Sequence, residues 1–350
     1  MIHQLNEQFI FTAQAGSGGY ALTELAERGL KPTEMKWLDQ GVGLARAAGG
    51  FPHLAQVFRD RPPIFIRHIC PAQMEILMEG SAADLEILAR SALALFRGVQ
   101  TPGSFSVQTV ALGESERSYK RFEVNSAVSE ALKNLSPLDV KHPEWIVSIV
   151  QVKGRAYLGV SRARDNLSAW AGGARRFARE ENQVSRAEFK LMEALETFGV
   201  ALPQEGLALD FGAAPGGWTR VLRGYGMKVV AIDPALLDER VASDPGVTHF
   251  QGTTQEYMRD GQKCDVIVND MRMDALLSCQ IMGEAAGILN AGGFAIMTLK
   301  LPHDNQLKHV RRAMDQLAIW YDIPCARQLF HNRSEVTVLL RPKKRDFMAE

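Results

Sequence analysis

The sequence predicts an α/β protein whose C-terminal half is a doubly wound, mostly parallel sheet preceded by an α+β region with its own core. Three observations predict this. Strand-like and helix-like segments alternate from about residue 186 onward. The strand candidates are short and rich in Val, Ile and Ala, as strands covered on both faces should be. One of them ends in an acid and a glycine-rich turn, "LDFGAAPGGWTRVL", which opens a helix.

Taken in order, "FIFTAQAG" predicts a strand, "GYALTELAERGL" a helix and "PPIFIRHICP" a second strand. "ADLEILARSALALFRG" follows as a helix, "SFSVQTVAL" as a strand and "EWIVSIVQVKGRAYLGVSR" as a hairpin. This is an α+β pattern. In the C-terminal half the strands are "GLALDFG", "KVVAID", "CDVIVNDM", "GGFAIMTLKL" and "EVTVLLR". The helices between them are "GWTRVLRGYG", "ALLSCQIMGEAAGILNAGG" and "NQLKHVRRAMDQLAIW", the last with its apolar residues at core spacing. Between the halves, "NLSAWAGGARRFAREENQ" is polar, basic and glycine-containing. The expected layout is therefore 1–165 (which could divide near residue 60 into 1–60 and 61–165), a basic linker at 166–185, and a second domain at 186–350.

Composition excludes several classes. With 46% apolar and 23% charged residues and no apolar run long enough to cross a bilayer, the chain has the make-up of an ordinary soluble protein. "MIHQLNEQFIFTAQAG" lacks a basic segment followed by an apolar core, so no signal peptide is expected. Cys70, Cys264, Cys279 and Cys325 form no CxxC pair, which argues against disulfides and structural zinc and suits a reducing cytoplasm. The histidines lack ligand spacing, and no metal is expected. Net charge is zero, yet residues 151–190 hold nine Lys/Arg against four Asp/Glu, and "RPKKR" (341–345) is a second basic cluster. Such patches suit a polyanion, or equally a solvated linker face and a solubilising tail.

The glycine turn can be tested by spacing. Gly212 is followed by Ala213, Ala214, Pro215, Gly216 and Gly217, which breaks the G-x-G-x-x-G dinucleotide fingerprint. Trp218 and Thr219 follow Gly217 where a P-loop needs Lys and Ser/Thr, so ATP and GTP are disfavoured. What remains suits a positively charged ligand without phosphate, approached closely by backbone. S-adenosylmethionine fits. Asp210 would lie near its ammonium and sulfonium side, and Asp233, at the end of "AIDP", would accept the ribose hydroxyls. Trp218 could pack on the ligand or belong to ordinary core. The methyl acceptor follows by elimination of two alternatives. "NDMRMD" (269–274) is not the Asn/Asp-Pro-Pro-aromatic string of exocyclic amine methylation. The only Cys-Pro pair, Cys70–Pro71, lies in the other domain, away from any carbon-methylating role.

From "SRAEFKLME" to "HNRSEVTVLLR" the chain resembles the FtsJ type of RNA ribose 2′-O-methyltransferase, a Rossmann-like class I methyltransferase fold with a seven-stranded sheet. That family places Lys, Asp, Lys and Glu around the target hydroxyl, and the matching positions are Lys190, Asp270 in "VNDM", Lys300 in "TLKLP" and Glu335 in "RSEVTV". The resemblance implies Lys300 as proton acceptor, Asp270 orienting it beside the methyl donor, and Lys190 and Glu335 positioning the ribose and its phosphate. A lysine must be neutral to accept a proton, and Lys190 would favour that in Lys300 while Asp270 and Glu335 oppose it. "LKLP" (299–302) and "ARQLFHNRSEVTV" (326–338) are similar to a bacterial subgroup that methylates a cytidine ribose of 23S ribosomal RNA. In that subgroup the N-terminal half carries a THUMP module, which binds RNA, and "KHPEWIVSIVQVKGRAYLGVSR" (141–162) looks like its C-terminal hairpin. Two departures concern the cofactor. "FQGTTQEY" offers Thr253 or Thr254, with Gln255 and Glu256 beyond, where the subgroup tends to carry an acid near the adenine. Ala187 stands where relatives can have Ser. His331 and Arg333 flank Glu335 and are candidates for RNA contact. The rival readings are the same chemistry on tRNA or another RNA, an idle RNA-binding scaffold, and, least favoured, a small-molecule O-methyltransferase.

Overall fold

A computed structural model describes residues 2–4, 7–99, 103–113, 116–178, 180–259 and 262–343; Lys344 and Arg345 of the terminal basic cluster lie outside them. The chain divides into two compact units, Met1–Arg175 and Arg176–Glu350.

In the first unit, β1 (Ile2–Gln4) is followed by a β-α-β-β-α-β run: β2 (Gln8–Ala13), α1 (Gly18–Glu27), β3 (Glu34–Asp39), β4 (Val42–Arg46), α2 (Gly50–Asp60) and β5 (Ile66–Pro71). The sheet order is β3-β4-β2-β5 with every pair antiparallel, the split βαβ arrangement. Strand periodicity sorts the core. Phe9 and Phe11 pack with α1 and α2, while Ile10 between them joins Cys70, Val150 and Tyr157 on the other side. Helix α2 buries Phe51, Leu54, Ala55 and Phe58, one stripe at helical spacing. The hairpin β3–β4 is an addition to the elements read from sequence. Strand β3 is a largely exposed edge whose short alternation, Met35 and Trp37 beside Glu34 and Lys36, breaks at Leu38.

Next come β6 (Met74–Leu77), α3 (Ala83–Phe96), β7 (Phe105–Ala111), α4 (Arg121–Leu132), β8 (Trp145–Val152) and β9 (Arg155–Arg162). They form a five-stranded sheet, β1-β6-β9-β8-β7, in which β8–β9 is the expected hairpin and β7 runs parallel to β8. Leu88, Ala92 and Phe96 of α3 and Val124, Val128 and Leu132 of α4 pack with Val147, Ile149 and Leu158 of the strands. Residues 166–172 lie against this unit. The Asn166 carbonyl accepts the Ile69 N–H at 3.1 Å and Gly172 O accepts the Thr12 hydroxyl at 2.9 Å.

The second unit opens with α5 (Glu188–Phe198) and alternates thereafter: β10 (Leu207–Phe211), α6 (Gly217–Gly224), β11 (Lys228–Ile232), α7 (Glu239–Ala242), β12 (Val247–Phe250), α8 (Thr254–Met258), β13 (Cys264–Asn269), α9 (Ala275–Ala285), β14 (Leu289–Lys300), α10 (Gln306–Leu317), β15 (Tyr321–Arg327) and β16 (Glu335–Pro342). The seven strands run β12-β11-β10-β13-β14-β16-β15, parallel except for β16. This is the expected Rossmann-like sheet, and its order reverses between β10 and β13, where α/β sheets open a crevice at the carboxyl ends of their strands. The strands are apolar throughout because both faces are covered: Ala208, Leu209, Val266, Ile267, Val268 and Ile296 are inaccessible. The helix expected to reach "LNAGG" stops earlier. It ends at Ala285, a short turn spans 286–288, and Leu289 begins β14. A Cβ on Gly293 would stand 2.8 Å from the Asp265 carbonyl oxygen, so glycine there lets β14 approach β13 closely. Strand β15 contains Pro324, which an edge strand tolerates.

Candidate active site

The carboxyl ends of β10, β11, β13 and β14, with the start of α5 and the loop before β16, enclose a cavity of about 1480 Å³ in the second unit. The register explains how its charged residues meet. Lys300, the last residue of β14, pairs directly with Glu335, the first of antiparallel β16. Asn269 of β13 pairs with Met297, which brings Asp270 beside Thr298 one residue further on. Lys190 reaches the same point from the first turn of α5.

The result is a closed square of alternating charge. Lys190 Nζ donates to both Asp270 oxygens at 3.3 and 3.1 Å and lies 2.6 Å from Glu335 Oε1. Lys300 Nζ donates to Asp270 Oδ1, to Glu335 Oε2 and, at 2.7 Å, to Thr298 Oγ1. The Thr298 hydroxyl in turn donates to Asp270 Oδ1 at 2.6 Å. The four charged side chains are between 6 and 23% exposed. Such burial contributes little to stability, because desolvation offsets most of the attraction. Charges gathered this way beside a cavity make a candidate site. Burial pulls the Lys190 ammonium down, but Asp270 and Glu335 outweigh it and the net shift is upward. Burial pushes the Asp270 carboxyl up, but Lys300 and Lys190 prevail and hold it below the usual range. Both ions are therefore fixed in their charged forms.

The other end of the cavity is acidic. Asp210, 1% exposed, is the penultimate residue of β10 and accepts the Thr219 hydroxyl at 2.7 Å. Burial pushes its carboxyl up to about 7, against the Thr219 hydrogen bonds and with Asp270 and Asp233 adding to the rise. Asp233, just beyond β11, accepts the N–H of Ala214 at 3.1 Å and of Ala235 at 2.8 Å, tying two loops together. Gly212, at φ +74°, brings its loop against Met271, where a Cβ would stand 2.6 Å from the side chain. Ala214, Pro215, Gly217, Trp218, Thr253 and Thr254 line the same cavity, whereas Gly216 caps α6 at φ +107° against Val241 and does not line it. Trp218, 3% exposed, belongs to the core and donates its Nε1–H to the Ala187 carbonyl at 2.7 Å. The Thr253 side chain caps α8 and exchanges hydrogen bonds with Glu256. These residues fit a cationic ligand bearing a vicinal diol: the acceptors are carboxylates, the approach is through glycines, and the buried Asp210 gains most from a positive neighbour.

Several contributors escaped sequence reading. Glu188 accepts the N–H groups of Val184 (2.7 Å) and Ser185 (3.1 Å) and the Arg220 guanidinium (2.6 Å). Glu193 accepts the N–H groups of Phe330 and His331, both at 2.8 Å. Helix α5 therefore holds the approach to itself and the loop before β16 while presenting Lys190 between them. In "SRAEFKLMEALE" these acids look like an ordinary exposed helix face. Among the described residues no group of three or more His, Cys, Asp and Glu could hold a metal ion.

Residues 183–313, within the second unit, match the family described as FtsJ-like methyltransferase. Curated relatives named "Ribosomal RNA large subunit methyltransferase M" are similar to this chain. The protein of Halorhodospira halophila is 37% identical over 182 residues, 49% of this chain and 51% of its own length. That of Pseudomonas entomophila is 30% identical over 244 residues, 63% of this chain and 65% of its own length. The match thus spans between half and just under two thirds of these relatives. Among solved structures, "TrmN from Thermus thermophilus" aligns over 96% of this chain and 99% of its own at 18% identity and a TM-score of 0.41.

Proposed function

We propose that this chain transfers the methyl group of S-adenosylmethionine to the 2′-hydroxyl of a ribose in large-subunit ribosomal RNA, at a cytidine. The observation that carries the reading is the Lys190–Asp270–Lys300–Glu335 square beside an acidic, glycine-walled cavity end. Asp210, Gly212 and Asp233 would hold the cofactor, with Ala214, Pro215, Gly217 and Thr253 around it. When bound, it supplies an electrophilic methyl on a sulfonium centre.

The protein's own task is to prepare the hydroxyl. An alcohol becomes an adequate nucleophile only as its proton is shared with a base. Lys190 is held as an ammonium and Asp270 as a weakly basic carboxylate, so neither suits that role. Lys300 does, at one condition: its three donors are all engaged, on Asp270, Thr298 and Glu335, and as an ammonium it has no lone pair to offer. It accepts the ribose proton only from the amine form. Asp270 and Glu335 keep its Nζ in position, and Lys190 is free to exchange a carboxylate for a substrate phosphate.

The first unit would hold the RNA, as a THUMP-like module. Support comes from residues 151–175 of this unit, with five Lys/Arg against one Asp, and from its guanidinium–indole pairs, Arg162 over Trp145 at 4.7 Å and Arg175 over Trp170 at 4.1 Å. Among the described residues no helix is long and apolar enough to cross a membrane, and ribosomal RNA as substrate would put the protein in the cytoplasm.

The test is methyl transfer from labelled S-adenosylmethionine to unmodified ribosomal RNA and to tRNA, followed by nucleoside mass analysis, with Lys300→Ala as control. The expected product is 2′-O-methylcytidine from large-subunit RNA, absent with the variant. A product from tRNA alone would move the substrate, and cofactor binding without transfer to either RNA would favour an idle scaffold.

A further inference from the structure

The wall of the cavity beside the charged square is aromatic. Phe189 precedes Lys190 on α5, and Phe330 and His331 sit in the loop before Glu335; all three line the cavity. Phe189 and His331 have ring centroids 5.1 Å apart, as do Phe330 and His331, while Phe177 stacks on Phe189 at 5.5 Å and 14°. The loop cannot drift, because Glu193 on the same helix as Lys190 grips the backbone N–H groups of Phe330 and His331. Next to them Asn332, buried and also lining the cavity, spends its Oδ1 on the Leu329 N–H and the Thr337 hydroxyl. Its Nδ2 has no acceptor among the described residues, a costly state for a buried donor.

The rim of the same cavity carries Arg186, Arg272 and Arg333, all exposed. None has an ion pair among the described residues. By contrast Arg220 pairs with Glu180 and Glu188, and Arg223 with Asp244.

We infer that Phe189, Phe330 and His331 form a platform for the nucleobase of the target nucleotide, with Arg186, Arg272 and Arg333 taking the phosphates on either side. The inference rests on the ribose reading above. A 2′-carbon is bonded to the 1′-carbon that bears the base, so a ribose presented to Lys300 must leave its base within a few ångströms of the square. The acidic end of the cavity belongs to the methyl donor, which leaves the aromatic wall. Bases present π-faces that stack on aromatic rings without regard to sequence, and a base can reach such a wall only when unpaired. The substrate is therefore a single-stranded or extruded nucleotide rather than an intact duplex.

Two measurements test this. In the first, kcat/KM for ribosomal RNA is compared for the wild type, Phe330→Ala and Phe330→Trp, with S-adenosylmethionine binding measured calorimetrically on each. The alanine variant should lose about tenfold or more, on the scale of one stacked base, while binding the donor as the wild type does; tryptophan should restore most of the loss. In the second, RNA containing 5-iodocytidine is photocrosslinked to the full chain and the attachment mapped by mass analysis, with Phe189, Phe330 or His331 expected. Transfer by Phe330→Ala at the wild-type rate, a loss that tryptophan does not repair, or crosslinks confined to other residues would overturn the platform while leaving the methyl-transfer reading intact. A wild type that transfers no methyl yet crosslinks at the aromatic wall would keep the platform and sink that reading.

Discussion

Both units bury carboxylates as clamps on backbone, Glu188 and Glu193 in the second among them, but the second also gathers carboxylates beside a cavity. In the first unit Glu24, 1% exposed, accepts the N–H groups of Ile64 and Phe65 at 2.7 and 2.8 Å. Asp84, equally buried, accepts those of Glu79 and Gly80 and the Tyr119 hydroxyl. Each fastens a loop to a helix. In the second unit Asp270 and Glu335 face two ammonium groups at a cavity edge, and Asp210 stands at the other end of that cavity. A buried acid is thus no sign of a site. What separates a clamp from a site is its surroundings: the clamps hold backbone donors, some with a guanidinium beside them (Arg28 at Glu24, Arg220 at Glu188), whereas paired opposed charges beside open space leave room for a substrate.

The sharpest way to break this contrast is Lys300→Ala. Methyl transfer per folded molecule should fall by about 10²–10⁴, the range for a lost proton-transfer group, with urea unfolding measured alongside because Asp270 and Glu335 lose a partner; a folded variant transferring within a few-fold of wild type would end the assignment. Next in size, Glu24→Ala should cost the fold about 1–3 kcal/mol, the penalty of two stranded buried donors, with kcat per folded molecule unchanged. Glu193→Ala should show a similar loss of stability together with a reduced kcat/KM, because the loop it fastens lies in the site. Equal kcat/KM in the two variants would remove Glu193 from any positioning role.

A smaller effect concerns pH. Asp210 has its folded carboxyl raised to about 7 from an ordinary value of 3.8. A cationic ligand favours the ionised form, so S-adenosylmethionine should bind more tightly as pH rises from about 6 to about 8, by tenfold at most. S-adenosylhomocysteine, without the sulfonium charge, should respond less, and Asp210→Asn should flatten the profile. Without ligand the sign for folding is the reverse. The unfolded chain releases this proton first, so this group lowers stability as pH climbs from about 4 to about 7. The smallest expected effect is in salt dependence. Arg333→Ala should make log affinity for RNA less steep in log salt by about 0.7–0.9, one phosphate contact; an unchanged slope would take Arg333 off the RNA.

Much of this was legible in the sequence because it is local. Apolar strands such as "CDVIVN" and "LALDF" carry their burial in composition, and the acid-glycine turn after β10 announces a strand–helix junction. Edges were harder to read. Strand β3 is largely exposed and β15 holds a proline, so neither shows the pattern that burial imposes. The residues of the square could be named only through the family resemblance, at "EFKLME", "VNDM", "TLKLP" and "RSEVTV". Its wiring could not. Lys190 meets Asp270 across 80 residues of chain, and Lys300 meets Glu335 through a strand register that depends on β16 running against its neighbours.

The sequence by itself determined the alternation, the turn chemistry and which side chains were available to meet, since propensity and periodicity act over a few residues. Only the tertiary structure decided which of them are charged, gripped or accessible. Protonation depends on burial and on charges a few ångströms away. The upward push on Asp210, the fixed ammonium of Lys190 and the Glu193 grip on Phe330 and His331 exist because distant segments share one edge of one sheet.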